Sequence, residues 1–524
     1  MPDNPLIAGL LYAEAYPHPV AAVRLIETHS AWVLLTGEYA YKIKKPVDFG
    51  FLDFSTLEKR RHFCEEEIRL NRRFAPRIYL DVVAIGGGER HPRVGGDGSP
   101  LEYAVRMRQF ADGGLLSQLA ESHRLESAHI DQLVEVIGTF HRAAGRVASG
   151  DDYGEPERVH HYVRENFEHI RPMLSDPQDS ERLERLAQWS ERERRDIEAL
   201  LAQRRRDGFI RECHGDLHLG NITLIDGRAT PFDCIEFNPE LRWIDVISEV
   251  AFLVMDLEDR GYRNFGRRFL NGYLQLTGDY AGLGVLRYYL VYRAMVRAKV
   301  ATLRRAQTVP DSVEFRQATA DYRQYAGLAE DYTSERTAAL IITHGLSGSG
   351  KSSVTQQLCE RGGMLQIRSD IERKRLAGLE ADARSDSAVG GGLYTSDLTR
   401  QTYDRLATLA GHVLRAGYSA VVDATFLDRA RRAGFAALAG RLQVPFVILD
   451  CRADDAELER RILARAAAGT DPSEAGLDVL YAQRRNRQPL TEDELRHTVT
   501  ADTQRFDPDA LQTTLAQHLR SQAT

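Results

Sequence analysis

The 524-residue sequence predicts two domains of different class in series: an α+β domain of two lobes, then an α/β domain with a mostly parallel sheet. Three observations predict it. The length exceeds what one hydrophobic core usually serves. The first 330 residues run strand-rich and then helix-rich, whereas from Ala339 onward apolar strands alternate with helices. Between the two lies a polar, small-residue stretch, YAGLAEDYTSERTAA (325–339), which ends abruptly at the apolar ALIITHG. The domains are therefore expected at residues 1–330 and 339–524, joined by a linker at 331–338. A cut near Thr333 should release two folded pieces.

The elements follow in order. Residues 31–45, AWVLLTGEYAYKIKK, read as two strands about a turn at Gly37-Glu38. FSTLEKRRHFCEEEIRLNRRF has a serine or threonine start and a charged length, so it reads as a helix. Residues 77–109 return to strand, with a glycine-rich hairpin in IGGGERHPRVGGDGSP and a strand in LEYAVRMRQ. From about 115 to 210 the pattern is helical. Acid and base interleave in the run at 181–206, as in a solvated helix with i,i+4 ion pairs. Residues 210–236 are strand-rich, and 240–330 are helical again.

Composition narrows the function classes. Hydrophobic residues at 43% and charged residues at 28% are ordinary for a globular chain. A net charge of −7 gives no footprint for sequence-independent nucleic-acid binding. Five scattered cysteines without a Cys-x-x-Cys pair exclude a disulfide framework and a zinc ribbon, and suit a reducing compartment. The start, MPDNPLIAGLLYAEAYPHP, lacks the basic and apolar regions of a signal peptide, and no run reaches the roughly 18 apolar residues of a membrane span. The expectation is a cytoplasmic protein without a membrane partner.

The second domain opens on Gly345-Leu346-Ser347-Gly348-Ser349-Gly350-Lys351-Ser352, which satisfies G-x-x-x-x-G-K-[ST] between a strand and a helix. Glycines let the backbone of Gly345, Ser347, Gly348, Ser349 and Gly350 turn its N–H groups onto phosphate oxygens. Lys351 reaches the terminal phosphates, Ser352 enters a magnesium shell, and Ser353 extends the cradle. Two carboxylates are expected at strand ends, Asp370 in MLQIRSD and Asp423 in YSAVVDAT. One would take a proton from an attacking hydroxyl and the other would hold magnesium; alternatively each is a helix N-cap. In DDAELERRILAR, Arg460, Arg461 and Arg465 either close over a nucleotide or complete pairs with Glu457 and Glu459.

In the first domain, His214-Gly215-Asp216-Leu217-His218-Leu219-Gly220-Asn221 reproduces the spacing H-x-D-x-x-x-x-N of kinase catalytic loops. Asp226-Gly227 between apolar runs signals a hairpin that returns Asp233 to Asn221, so that both can share a Mg²⁺ while Asp216 takes the hydroxyl proton. His214 and His218 do not make a zinc pair, because Gly215 is poor in a helix and the intervening Glu is missing. Lys42, in the A-x-K of Ala40-Tyr41-Lys42, is the expected phosphate partner, with Lys44 on the same face close behind. Of Glu65, Glu66 and Glu67, Glu67 is taken as its ion-pair partner.

These motifs carry two resemblances. GLSGSGKS, RSDIERKR and VVDATFLDRARR resemble the P-loop kinases that include polynucleotide, gluconate and zeta-toxin kinases. The resemblance implies Asp370 as catalytic base, Arg373 as an acceptor contact and the arginine helix as a lid. HGDLHLGN and FDCIEFN resemble the aminoglycoside-phosphotransferase and choline-kinase branch of the protein-kinase-like fold, over most of residues 30–300. That implies an interlobe hinge near Met107 and a buried carboxylate, Asp245, bracing the catalytic loop. The turn LLTGEYA departs from the family's glycine-rich loop. The chain as a whole resembles a bacterial fusion of the two kinds. The expected activity is ATP- and Mg²⁺-dependent phosphoryl transfer, at two sites, to hydroxyls of small molecules. Three alternatives stand beside it: one module regulating the other, a polynucleotide 5′-hydroxyl as acceptor for the P-loop domain, and a non-catalytic nucleotide-dependent scaffold.

Overall fold

The computed structural model describes residues 4–522 apart from 51, 149, 382, 384–391 and 469–472. Compact packing divides the chain into Met1–His169 with Glu198–Arg260, and Ile170–Ile197 with Gly261–Thr524. This division does not fall at the linker read at 331–338. The polar stretch is largely helix: Val313–Thr333 is continuous, and Ala326, Leu328, Ala329 and Tyr332 are buried along it while its polar residues take the other face.

After a short helix, Pro5–Gly9, the first unit contains six strands: β1 (Arg24–Glu27), β2 (Ala31–Leu35), β3 (Tyr39–Lys44), β4 (Tyr79–Gly88), β5 (His91–Val94) and β6 (Glu102–Arg108). They form one antiparallel sheet in the order β1-β2-β3-β6-β4-β5. The turn after β2 bends at Gly37, whose φ is +98°, as the sequence predicts. The expected helix is Leu57–Asn71, capped by the Thr56 side chain, which accepts from the Lys59 N–H, and it packs against β4 and β6. One face of the sheet buries Leu34, Tyr41, Ile43, Ile85 and Ala104 in a common core.

After a run of helices the chain forms two short antiparallel pairs, β7 (Ile210–Glu212) with β10 (Trp243–Asp245), and β8 (Ile222–Ile225) with β9 (Arg228–Pro231). The β8–β9 turn is the predicted Asp226-Gly227, with φ of +50° and +75°, the positive pair that a tight hairpin turn requires. The helix Val246–Asp259 follows and is buried along most of its length.

The second unit holds the parallel sheet: β11 (Leu340–His344), β12 (Leu365–Arg368), β13 (Ala420–Asp423), β14 (Phe446–Arg452) and β15 (Thr498–Asp502), in the order β12-β13-β11-β14-β15. Every residue of the central β11 is buried, which is why it reads as a continuous apolar run rather than an alternating one. Each such aliphatic side chain contributes roughly 1.5–3 kcal/mol. The helices Arg263–Thr277, Leu283–Ala306 and Val313–Thr333 belong to this unit as well. Among the described residues, no helix is long and apolar enough to cross a membrane.

Candidate active sites

In the first unit, strand alternation puts Lys42 and Lys44 on one face of β3, towards the helix Leu57–Asn71. Glu67, wholly buried, sits between them: Oε1 accepts from Lys42 Nζ at 2.9 Å and Oε2 from Lys44 Nζ at 2.8 Å. Lys42 also pairs with Asp233, and Lys44 with Glu236. Lys42, the lysine chosen from the sequence, thus faces Asp233, while Lys44 ties Glu67 to Glu236. Burial works against the Lys42 ammonium, but Asp233 and Glu67 hold its pKa well above the usual value. Burial alone would raise the Glu67 carboxyl; the two lysines overcome it and hold the group low and charged.

The 233–236 turn is fixed from two sides. The Asp233 N–H donates to the Tyr79 hydroxyl at 3.0 Å, and the Cys234 N–H to Asn71 Oδ1 at 2.8 Å. Asp233 has a φ of +65°, a conformation unusual outside glycine that those bonds impose. Hairpin pairing and the bond from the Phe232 N–H to Asn221 O, 2.9 Å, bring Asp233 back beside the catalytic loop as the sequence predicts. Asn221 Nδ2 donates to Asp216 Oδ2 at 2.9 Å and to Asp216 O at 3.0 Å. His214 is buried with both ring nitrogens engaged, Nε2 at 2.8 Å from the Phe232 carbonyl and Nδ1 accepting from the Asp216 N–H at 3.3 Å, and burial lowers its pKa. Met107 pairs with Ala40 of β3 and packs with Phe110, Ile225 and Phe232 into an apolar surface in the same unit.

Asp245 does not brace the catalytic loop. It caps the helix Val246–Asp259 through the Ile247 N–H and binds Arg204 at 2.7 and 2.8 Å. Arg204 itself is buried at the end of the helix Pro177–Arg206, while Gln203 and Arg206 beside it stay exposed. The loop is braced by Glu249 instead, whose Oε1 accepts from the His214 and Gly215 N–H groups at 2.6 and 2.9 Å, and by Asp256, which accepts from the Leu219 N–H at 2.9 Å. Glu249 Oε2 meets His141 Nε2 at 2.6 Å. The two acids lie seven residues apart, on one helix face. Lone acids within the apolar run VISEVAFLVMDLE were the available signal.

In the second unit the loop between β11 and the helix Lys351–Gly362 has the expected backbone. A Cβ on Gly345 would lie 2.6 Å from the Cys451 carbonyl, and one on Gly348 2.7 Å from the Leu458 carbonyl, so neither position tolerates a side chain. Lys351 Nζ donates to the Gly345 and Leu346 carbonyls at 3.1 and 2.8 Å. Burial lowers its pKa and Asp423 opposes that shift.

A cavity of about 640 Å³ opens on this loop and is lined by Ser347, Gly348, Gly350, Lys351, Ser352, Ser353, Asp370, Asp423, Arg461 and Arg465. Arg373, Tyr403 and Arg431 line it too, and the Arg431 guanidinium stands 4.2 Å from the Tyr403 ring centroid. Asp423 ends β13 as expected. Asp370 does not end a strand: β12 stops at Arg368, and Asp370 lies in the first turn of the helix Ser369–Leu376, whose N-cap is Arg368. Burial raises the Asp423 carboxyl, against Arg368 and a hydrogen bond from Ser352. Arg461 binds Thr503 Oγ1 at 2.8 Å and Arg465 binds the Ala475 carbonyl at 2.6 Å; Arg460 is held by Glu457 outside the cavity. Arg431 and Tyr403 were not singled out from the sequence, where Arg431 is one arginine among several in RARR.

Comparison with known proteins agrees with this division of labour. Residues 54–289 match the model of the "Phosphotransferase enzyme family", and residues 340–490 that of an "AAA domain". Uncharacterized proteins of Mycobacterium tuberculosis (strain H37Rv) and Mycobacterium bovis are each 32% identical over 457 residues, 87% of this chain and 89% of theirs. Among solved structures, the amicoumacin kinase hAmiN in complex with AMP-PNP, Ca²⁺ and Ami is 15% identical, covering 63% of this chain and 94% of its own, at a TM-score of 0.40. A gluconokinase from Sinorhizobium meliloti 1021 is 21% identical, covering 36% of this chain and 100% of its own, at a TM-score of 0.26. Identity maintained over nearly the whole length of the mycobacterial relatives shows that this chain belongs to their family, as a fusion of a phosphotransferase-family domain with a P-loop kinase domain.

Proposed function

We propose that each domain binds ATP with Mg²⁺ and transfers the γ-phosphate to a hydroxyl of a small molecule. The observation that carries the reading is the Asp233–Lys42–Glu67 chain of ion pairs together with the Asp216–Asn221 bond, which supports taking Lys42 as the phosphate-binding cation, Asn221 and Asp233 as the metal-side oxygens and Asp216 as the carboxylate base. The donor sets fit magnesium: Asn221 with Asp233, and Ser352 with Asp423, offer only hard oxygen ligands. In the first site Lys42 orients the α- and β-phosphates, the apolar surface at Met107 receives the base, and Asp216 accepts the hydroxyl proton. In the second site the loop N–H groups and Lys351 hold the β- and γ-phosphates, Arg461 and Arg465 neutralise charge as the phosphoryl group moves, and Asp370 accepts the acceptor's proton. Arg373 and Arg431 face that acceptor. Magnesium, when bound, spreads the charge of the phosphate oxygens; the protein's part is positioning and electrostatic stabilisation.

The five cysteines are all buried and none is in a disulfide, which suits the reducing cytoplasm in which this reading places the protein. The test is a screen of a metabolite extract with γ-labelled ATP, run on the wild type, Asp216→Asn and Lys351→Ala. Two sets of labelled products, each lost in one variant, support two catalytic sites. A single set would make the other module regulatory, and no labelled product at all would overturn the reading.

A further inference from the structure

β12 is an edge strand, and an edge exposes N–H and C=O groups that need partners. Here they come from residues 271–280, which lie inside the stretch matched to the phosphotransferase family yet pack in the second unit. Asn271 Nδ2 donates to the Met364 carbonyl at 3.2 Å, and its Oδ1 accepts from the Gln366 N–H at 2.8 Å, much as a neighbouring strand would. The Tyr280 hydroxyl donates to the Gln366 carbonyl at 3.0 Å.

The Gln366 side chain continues inward and is almost wholly buried. Its Nε2 donates to Asp423 Oδ2 at 3.2 Å and to Thr355 Oγ1 at 2.6 Å, and its Oε1 accepts from Gln275 Nε2 at 3.0 Å. Thr355 in turn donates to the Lys351 and Ser352 carbonyls in the first turn of the phosphate-loop helix. The orientation of the Gln366 amide is forced. Asp423 as a carboxylate only accepts, and the Thr355 proton is directed to the helix carbonyls, so both must receive N–H from Gln366. Gln275 must then donate to the oxygen that remains. The carbonyl of Gln275 also takes a bond from Arg375, which pairs with Glu372 on the helix that carries Asp370.

We propose that Gln275, acting through Gln366, is a positioning residue of the P-loop site: it holds the Gln366 amide with its N–H groups towards Asp423 and so fixes the carboxylate for magnesium. Residues 263–280 would then belong, in function, to the P-loop kinase. The proposal rests on the reading of Asp423 as a magnesium ligand given above. Gln275→Met keeps the volume and removes the donor. Gln275→Glu keeps the shape and reverses the polarity, turning the Gln366 carbonyl onto Asp423.

The experiment uses the full chain with the first site silenced by Lys42→Ala. Calorimetry measures the affinity for a non-hydrolysable ATP analogue in Mg²⁺ and in EDTA, and the ratio is the metal's contribution. A positioning role predicts that the ratio falls about tenfold in Gln275→Met and further in Gln275→Glu, the scale typical of residues that orient metal ligands. Affinity in EDTA should stay near that of the parent, whereas the thermal midpoint falls modestly, because the buried Gln366 oxygen loses its donor. Folded variants that keep the parent ratio would overturn the proposal alone. A parent without any metal contribution would overturn the reading of Asp423, and the proposal with it.

Discussion

Glu249 is the residue on which the loop at 214–221 hangs, since one of its oxygens receives two consecutive loop N–H groups and the other meets His141. Burial would raise its carboxyl, but His141 and the loop N–H groups hold it down to about 2, against an ordinary 4.5. A depressed folded-state pKa contributes stability that is present above pH 4.5 and lost as pH falls through about 2. The expected outcome is that the wild type loses stability between pH 5 and pH 2, and that Glu249→Gln removes a part of that loss on the order of 3 kcal/mol. Urea unfolding of both proteins at several pH values checks it. In the proposed reaction Asp216, which accepts from Asn221 Nδ2, takes the hydroxyl proton and does not hold the nucleotide. Asp216→Asn should therefore keep ATP affinity within about twofold while transfer by the first domain falls about 10²–10⁴-fold, read by calorimetry beside a turnover assay. Lys351→Ala should remove nucleotide binding at the second site and leave the first intact, because the phosphate loop depends on that ammonium. Calorimetry showing two unchanged ATP sites would contradict it.

At the scale of elements, helices act as braces for loops and strands that carry the chemistry. The helix Val246–Asp259 supports the catalytic loop with two acids from one face, and the helix Arg263–Thr277 completes the edge of β12. Asn271→Leu would leave the Gln366 N–H and the Met364 carbonyl without that partner. An unsatisfied buried group costs about 1–3 kcal/mol, so the second unit should lose a few kcal/mol while Lys351 and its loop are untouched in sequence. Hydrogen exchange at the Gln366 amide, expected to accelerate in the variant, measures this at the site itself.

For the whole molecule, the question is how the P-loop domain depends on the helices before it. Read as sequence, residues 325–339 look like a linker. In the structure, the helix Arg263–Thr277 packs on β12 and the helices Leu283–Ala306 and Val313–Thr333 fall in the same unit, and Arg268 pairs with Glu360 at 2.6 Å while Tyr280 and Asn271 hold β12. A chain severed near Thr333 should therefore give a 339–524 piece that melts well below the intact protein, and mixing it with the 1–333 piece should restore the higher midpoint. Scanning calorimetry of the two pieces, apart and together, decides it; an isolated 339–524 piece as stable as the full chain would show that the helices contribute nothing to its stability.

The sequence by itself determined the two fold classes, the phosphate loop, the Asp216–Asn221 spacing and the hairpin that returns Asp233. Each of these is local. A glycine-rich loop, a two-residue turn with positive φ and an alternating strand are dictated by the backbone preferences of adjacent residues. The pair of Lys42 and Glu67 was legible because one strand and one helix suffice to place them. Only the tertiary structure decided that Lys44 reaches Glu236, that Glu249 and Asp256 rather than Asp245 hold the catalytic loop, that Arg431 and Tyr403 line the P-loop cavity, and that Gln366 links Gln275 to Asp423. Their partners lie tens to hundreds of residues away. Helical periodicity says which face of an element is buried, but not which element covers it, and a buried polar side chain takes its role from whatever group that packing brings within hydrogen-bond reach.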